Sequence, residues 1–259
     1  MSRTFLVALF VVLVAIPIAN VDLVLGVRVR STEIPPSSPT EPENSAVILS
    51  SLDQVYPMGR YDAELTYYLG QAGYKVTTIT NSNVTVDLLL TQLNNYSIVI
   101  WRTNTYTWEH IEYWEIGQLA DAQVEQEYAN DFAQGYMNGN TGIVGVSLNF
   151  FSEHFNTPGM LSNVKLMIVI ASDSDAFAPF FNDVGAQTVI FCNGPVALGF
   201  GLMDDLTTQV IGDMVAGQTV YSAVYNAVSP YVQNSNPEDP LDSRYTPPFW
   251  YVGNGTLTL

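Results

Sequence analysis

Residues 97–105 read SIVIWRTNT and residues 165–174 read KLMIVIASDS, and these two stretches decide the fold. Each contains a run of apolar residues that ends in small polar ones. A continuous apolar run of this length predicts a strand that is buried on both faces, as in a parallel sheet. Three further runs predict strands of the same kind: AVILSS at 46–51, YKVTTIT at 74–80 and QTVIF at 187–191.

Segments with the apolar spacing of helices separate these runs. They predict helices over 61–71, 86–93, 175–184, 203–216 and 219–228. Strands that alternate with helices predict an α/β fold, with a mostly parallel sheet and helices on both of its faces. The run GIVGVS at 142–147 reads as another strand of that sheet, with a helix over 149–155 behind it, whereas the aromatic and acidic segment 103–140 reads as an irregular insertion.

The ends of the chain differ in composition from this middle part. Arg3 precedes an apolar run, so residues 1–26 are predicted to be a secretory signal, with a cleavage point near Gly26, or a retained membrane anchor. Either alternative places the rest of the chain outside the cytoplasm or on the cell surface. Residues 27–45 form a linker rich in proline and serine, 46–230 the α/β domain, and 231–259 an extension rich in proline and aromatic residues. That extension either packs on its own domain or binds a partner.

The charge balance excludes some classes of partner. Lys and Arg total 8 against 25 acidic residues, which gives a formal net charge of −17. Nucleic acids and anionic membrane surfaces are bound mainly through Lys and Arg, so neither is expected as a partner. Cys192 is the single cysteine, which excludes an intramolecular disulfide. Three Asn-X-Ser/Thr triplets, at Asn83, Asn95 and Asn254, are candidate glycosylation sites in a secreted glycoprotein.

Several phrases of the chain resemble the caspase-like superfamily of cysteine peptidases (gingipain/legumain type), in its extracellular archaeal and bacterial branch. These phrases are AVILSSLDQVYPM, AGYKVTTIT, SIVIWRTNT, KLMIVIASDS, FNDVGAQTVIFCNGPVALGF and MVAGQTVYSAVYNAV, which together cover about residues 46–230. The resemblance implies the three-layer sandwich of that superfamily. It also implies a catalytic histidine after the third strand and a catalytic cysteine after the strand KLMIVIA.

This chain has Asn104 in the implied histidine position and Asp173 in the implied cysteine position. An amide cannot accept or return a proton, and an aspartate is a poor nucleophile towards an amide carbonyl. The sequence therefore predicts a pseudopeptidase, a domain without catalytic residues. Its binding crevice is expected to be lined by Arg102, Asn104, Ser172, Asp173, Asp175, Cys192 and Asn193.

Other uses of these residues remain open at this point. Cys192 pairs with His110 in one alternative, a relocated dyad of an active cysteine hydrolase. Asp173 and Asp175, with Asn193, are weak candidates for a Ca²⁺ site, and no other metal or cofactor is expected. The rings of the 103–140 segment suit carbohydrate or peptide recognition, and they equally suit packing of a long insertion.

The function expected from the sequence is a secreted or surface-anchored module that binds a peptide, a glycan or a surface protein. A related alternative is a structural subunit of a cell-surface layer or filament, which would involve homo-oligomers. Secretion, acidity and the candidate glycosylation sites are consistent with both.

Overall fold

The computed structural model describes residues 44–192, 200–232 and 249–259. The predicted signal or anchor, nearly all of the linker, Asn193 and residues 233–248 of the extension lie outside these ranges. The strands are β1 (Ser45–Ser50), β2 (Lys75–Thr80), β3 (Ile98–Arg102), β4 (Thr105–Trp108), β5 (Ile111–Leu119), β6 (Met137–Asn138), β7 (Ile143–Ser147), β8 (Leu166–Ile170), β9 (Thr188–Cys192) and β10 (Phe249–Gly253). The helices are α1 (Arg60–Gln71), α2 (Val86–Gln92), α3 (Ala122–Glu127), α4 (Ala129–Ala133), α5 (Leu148–His154), α6 (Ala178–Asp183), α7 (Phe200–Val215) and α8 (Val220–Val232).

A six-stranded sheet forms the centre of the fold, with the strand order β10-β9-β8-β3-β1-β2. The strands β2, β1, β3, β8 and β9 are parallel to one another. Only β10 runs antiparallel, paired with β9 at one edge of the sheet. The prediction of an α/β fold with a mostly parallel sheet is therefore confirmed.

Side chains alternate between the two faces of this sheet, as strand geometry requires. In β3, Val99 and Trp101 point to one face, and Ile98 and Ile100 to the other. The first face is covered by α2, α5 and α6. The second face is covered by α1, α7 and α8. Burial on both faces explains why β1, β3, β8 and β9 read as nearly continuous apolar runs. The edge strand β2 is only partly buried, and polar residues interrupt its sequence.

The helices begin and end close to their predicted positions. In α2, the Thr85 hydroxyl accepts a hydrogen bond from the Leu88 amide at 3.2 Å, so Thr85 caps the first turn. In α1, Leu65 and Leu69 face the sheet one turn apart. Apolar spacing was enough to identify both helices from sequence.

A second sheet corrects two of the sequence predictions. It is antiparallel, with the strand order β4-β5-β7-β6. The run at 142–147 supplies β7 of this small sheet and not a strand of the parallel one. Most of the segment 103–140, predicted to be irregular, forms β4, β5, α3, α4 and β6. The small sheet packs through Trp114, Ile116 and Val146 on the face of the large sheet that carries α2, α5 and α6.

The described part of the 231–259 segment packs on the domain. Phe249 in β10 is fully buried against α7 and α8, and the C-terminal residues Leu257 and Leu259 pack beside it. The amide of Val220, at the start of α8, donates a hydrogen bond to the Leu257 carbonyl at 2.9 Å. Across the described ranges, we find no helix with both the length and the apolar character needed to span a membrane.

Candidate functional site

The carboxyl ends of the parallel strands meet at one edge of the large sheet. The chain places β2 on one side of β1 and β3 on the other, so the winding direction reverses between β1 and β3. Ligands of open α/β sheets bind at such a reversal. The residues that follow β1, β3 and β8 at this edge include Ser51, Thr103, Asn104 and Asp173.

Arg102, a predicted crevice residue, forms a buried ion pair instead of facing a crevice. Its side chain is 2% exposed. Nε and Nη2 donate to the two carboxylate oxygens of Asp204 in α7 at 2.9 and 3.1 Å, and Nη1 donates to the Tyr56 carbonyl at 2.7 Å. The guanidinium also lies 5.1 Å from the centre of the Phe200 ring. Arg102 thus joins β3, α7 and the loop after β1.

Asn104 is likewise engaged within the fold. Its Nδ2 donates to Oε2 of Glu115 in β5 at 2.9 Å, and the Glu115 amide donates to the Asn104 carbonyl at the same distance. Beneath this pair, the Thr103 hydroxyl donates to the Glu115 carbonyl, and Ser51 Oγ donates to Thr103 Oγ1 at 3.0 Å. The position for which the resemblance implies a histidine therefore holds an asparagine, and its hydrogen bonds to Glu115 connect the small sheet to the end of β3.

Asp173 lies in the loop after β8 with an exposed carboxylate. Its backbone adopts a left-handed φ of 52°, which non-glycine residues other than Asn and Asp seldom adopt. Asp175 is also exposed, and Ser172 is half-buried. Ser174 is buried, where its Oγ accepts from the Cys192 amide at 2.9 Å and donates to the Cys192 carbonyl at 3.2 Å. Ser174 thus connects the ends of β8 and β9 and is not placed as a nucleophile.

Cys192 and His110 are not brought together. The Cys192 side chain is 1% exposed and faces α7, with Sγ 3.9 Å from Met203 Sδ. His110 is exposed at the turn between β4 and β5, and the sheet that carries it lies on the opposite face of the large sheet. Burial raises the pKa of the Cys192 thiol to about 12. A reactive cysteine needs a low pKa and exposure, and Cys192 has neither.

Glu112, near the start of β5, also lies close to this edge, where it interacts with Asp173 and Asp175. Burial of its carboxyl raises the pKa of Glu112 to about 7, and the negative charges of Asp173 and Asp175 add to the shift. Its Oε1 is enclosed and has no hydrogen-bond partner within the described residues. The Trp114 indole N–H lies near enough to favour the charged form, but the two groups are not in hydrogen-bond geometry. No local pattern in the sequence places Glu112 opposite Asp173.

Asp173 and Asp175, the weak candidates for a Ca²⁺ site, are not joined by other acidic ligands among the described residues. Among the residues that the structure describes, no group of three or more His, Cys, Asp or Glu side chains is arranged to hold a metal ion. Asp173 and Asp175 are present at the edge, whereas Asn193 lies outside the described ranges.

The aromatic residues of the insertion mostly serve packing. Trp101 and Trp114 are fully buried and meet edge to face at 5.1 Å, and Trp114 stacks on Phe177 at 3.9 Å. Tyr106 and Tyr113 stack at 5.5 Å between β4 and β5. Trp108 alone among the described tryptophans of this insertion is exposed, beside the turn at His110. Of the two alternatives left open by the sequence, these contacts favour packing for all but Trp108.

The three candidate glycosylation sites are all exposed. Asn83 and Asn95 lie at the two ends of the segment that contains α2, and Asn254 follows β10. The Asn254 Oδ1 accepts from the amide and the hydroxyl of Thr256 at 3.0 and 2.7 Å. Exposure is compatible with the modification at each position.

No protein-family model matches the chain, and no curated protein is significantly similar to it.

Proposed function

We propose that this protein is a non-catalytic module of the cell surface or the extracellular space, built on a caspase-like scaffold, that binds a peptide, a glycan or a surface protein. The observation that carries the proposal is the state of the two strand ends where the resemblance implies catalytic residues. Asn104 is hydrogen-bonded to Glu115, and Asp173 is an exposed carboxylate. The Asn104 amide cannot act as the base, and the Asp173 carboxyl is a poor nucleophile towards an amide carbonyl.

The architecture supports the caspase-like part of the proposal. The resemblance implies three layers, and the described chain has a mostly parallel sheet with helices on both faces. The strand ends for which the resemblance implies a histidine and a cysteine belong to β3 and β8, which are neighbours in the sheet. The scaffold would therefore present both positions at one edge.

The edge retains groups that suit binding. Asp173, Asp175 and Trp108 are exposed there or at the adjoining turn, and the Glu112 carboxyl is half-buried beside them. Arg102, Asn104, Ser174 and Cys192 are occupied by contacts within the fold. The proposed binding surface thus contains fewer residues of the crevice that was expected from sequence, and its exposed side chains are acidic and aromatic.

A peptide-cleavage assay combined with thiol labelling tests the absence of catalysis. The purified protein is incubated with a peptide library, and Cys192 is probed with iodoacetamide before and after unfolding in concentrated guanidinium chloride. We expect no cleavage, and labelling only after unfolding, because the thiol is buried with a raised pKa. The variant Thr66→Cys, with its new thiol on the exposed face of α1, serves as the positive control for labelling in the folded state.

Cleavage that is lost in Cys192→Ala would overturn the proposal in favour of the Cys192/His110 hydrolase. Cleavage that persists in Cys192→Ala would overturn it as well, since another residue would then act as nucleophile.

A further inference from the structure

The helix α8 has an outer face without charge. Its sequence is VYSAVYNAVSPYV, thirteen residues with no Asp, Glu, Lys or Arg. The buried face packs on the large sheet through Val220, Ala223, Val224, Ala227 and Val228. The opposite face carries Tyr221, Ser222, Tyr225, Asn226 and Ser229, all neutral.

Two tyrosines dominate this outer face. Tyr221 and Tyr225 are 52% and 55% exposed. Their rings are one helical turn apart and nearly parallel, with an angle of 19° between the planes and 6.1 Å between the centres. Tyrosine is enriched at protein interfaces, because it buries a large area and orders few rotatable bonds.

The neighbouring surface is acidic. On the side of α7 away from α8, a groove of about 460 Å³ runs between α1 and α7. Its walls include Glu64, Asp205 and Asp213, and its single basic residue, Arg60, is paired with Glu64. The helix α7 thus separates an acidic surface from the neutral surface of α8.

We propose that the outer face of α8 is a contact surface between two copies of this chain. With 25 acidic and 8 basic residues, two copies repel each other in most orientations. The α8 face lets two copies approach without opposing charged side chains on this helix, while burying four tyrosine rings, two from each copy. The contact is isologous, with the same face used by both copies.

The size of the surface sets the strength of the contact. At 1.5 Å per residue, α8 is about 20 Å long, and one pair of such helices buries less than the roughly 1,200–2,000 Å² of a stable interface. The dimer is therefore weak in solution and depends on concentration. Because the rest of the surface is acidic, added salt screens the repulsion and strengthens the association.

This inference goes beyond the proposed function. It does not depend on the state of the strand ends, so its failure would leave the cleavage and labelling results unaffected.

Sedimentation velocity of the full chain tests the contact. We expect a monomer–dimer equilibrium that shifts towards dimer as protein and NaCl concentrations rise. Tyr221→Glu and Tyr225→Glu place a negative charge on each copy of the face, so each should weaken dimerisation at least tenfold. The matched control is Tyr67→Glu on α1, which alters a tyrosine that is 62% exposed and lies outside the face.

Disulfide trapping provides a second measurement. Under oxidising conditions Asn226→Cys should form covalent dimers faster than Thr66→Cys, because only the first position lies on the α8 face. A protein that stays monomeric at all concentrations and salt levels would overturn the proposal. Equal weakening by Tyr67→Glu, or equal trapping at both cysteine positions, would overturn it too. Loss of glycan binding in the α8 variants of a monomeric protein would reassign the face to a glycan.

Discussion

Three acidic side chains near the end of β8 interact electrostatically, and they differ in their exposure to water. Asp173 and Asp175 are exposed, whereas the Glu112 carboxyl is half-buried with Oε1 enclosed. Removal from water penalises the charged form of Glu112, and the two aspartates penalise it further. Near neutral pH, the Glu112 carboxyl therefore exchanges a proton with the solvent.

This proton exchange predicts a pH dependence of stability. The pKa of Glu112 is raised from 4.5 to about 7, so between these values the folded state binds more protons than the unfolded state. The free energy of unfolding therefore falls as pH rises through this window and is level above it. Glu112→Gln removes the effect. Since the carboxyl is only half-buried, we expect the variant to gain about 1 kcal/mol relative to wild type between about pH 4.5 and about pH 8.

Urea denaturation at a series of pH values measures this difference. Glu153→Gln, which alters an exposed carboxyl on α5, serves as the control and should follow the wild-type curve. Parallel curves for wild type and Glu112→Gln would show that the Glu112 carboxyl titrates as it does in water.

Sequence reasoning at this scale identified the edge but not the partners of its side chains. Arg102, Asn104 and Asp173 follow buried strands, and strand ends can be found from an apolar run that stops. Their partners Asp204 and Glu115 lie 102 and 11 residues further on and are brought close only by tertiary packing. The spacing of residues along the sequence does not reveal such contacts. Arg102 and Asn104, which were predicted to line a binding crevice, therefore proved to be hydrogen-bonded within the fold.

At the scale of elements, the close approach of Gly117 to Asn81 fixes the small sheet in place. Gly117 lies in β5 with a φ of +94°, and a Cβ at this position would come within 2.1 Å of the Asn81 carbonyl oxygen. Asn81 itself adopts a left-handed φ of 52° just after β2. A side chain on Gly117 would therefore push the second strand of the small sheet away from the end of β2.

Replacing this glycine separates close approach from backbone strain. Gly117→Ala should reduce the free energy of unfolding by about 3 kcal/mol, since an L-residue at positive φ is strained and the added methyl group has no room. Gly142→Ala is the matched control, because Gly142 also has a positive φ, +81°, but nothing lies within 4 Å of the added Cβ. That control should lose only about 1 kcal/mol. Urea denaturation of both variants gives the comparison, and equal losses would mean that strain alone accounts for the effect.

The strands that the sequence predicted correctly can be recognised from their own residues, whereas the pairing of the others depends on distant partner strands. A parallel strand buried on both faces is recognisable by itself, as SIVIWR and KLMIVI were. The run GIVGVS looks the same locally, yet its partners β5 and β6 make it antiparallel. In β5, the sequence IEYWEIGQL places acids among buried aromatic residues, which hides the pattern of a strand. Glu115 can be buried there because its carboxylate accepts a hydrogen bond from Asn104. The edge strand β10 follows a proline-rich stretch, and only its pairing with β9 identifies it.

For the whole molecule, the acidic charge opposes folding and association alike. A net charge of −17 in a chain of 259 residues concentrates like charges when the chain becomes compact. Within the described ranges two arginines pair with acidic side chains, Arg60 with Glu64 and Arg102 with Asp204, so few of the acids are neutralised locally. Screening by salt should relieve the remaining repulsion.

We therefore expect the melting temperature to rise as NaCl increases from about 10 mM to about 200 mM, since the Debye length falls from about 30 Å to below 10 Å. CaCl₂ and MgCl₂ at matched ionic strength separate screening from binding. We expect all three salts to give the same curve, because the screening of a diffuse charge depends on ionic strength alone. A further rise that is specific to Ca²⁺ and saturates would instead reveal a site. Its loss in Asp173→Asn together with Asp175→Asn would place that site at the end of β8, whereas its persistence would place it elsewhere.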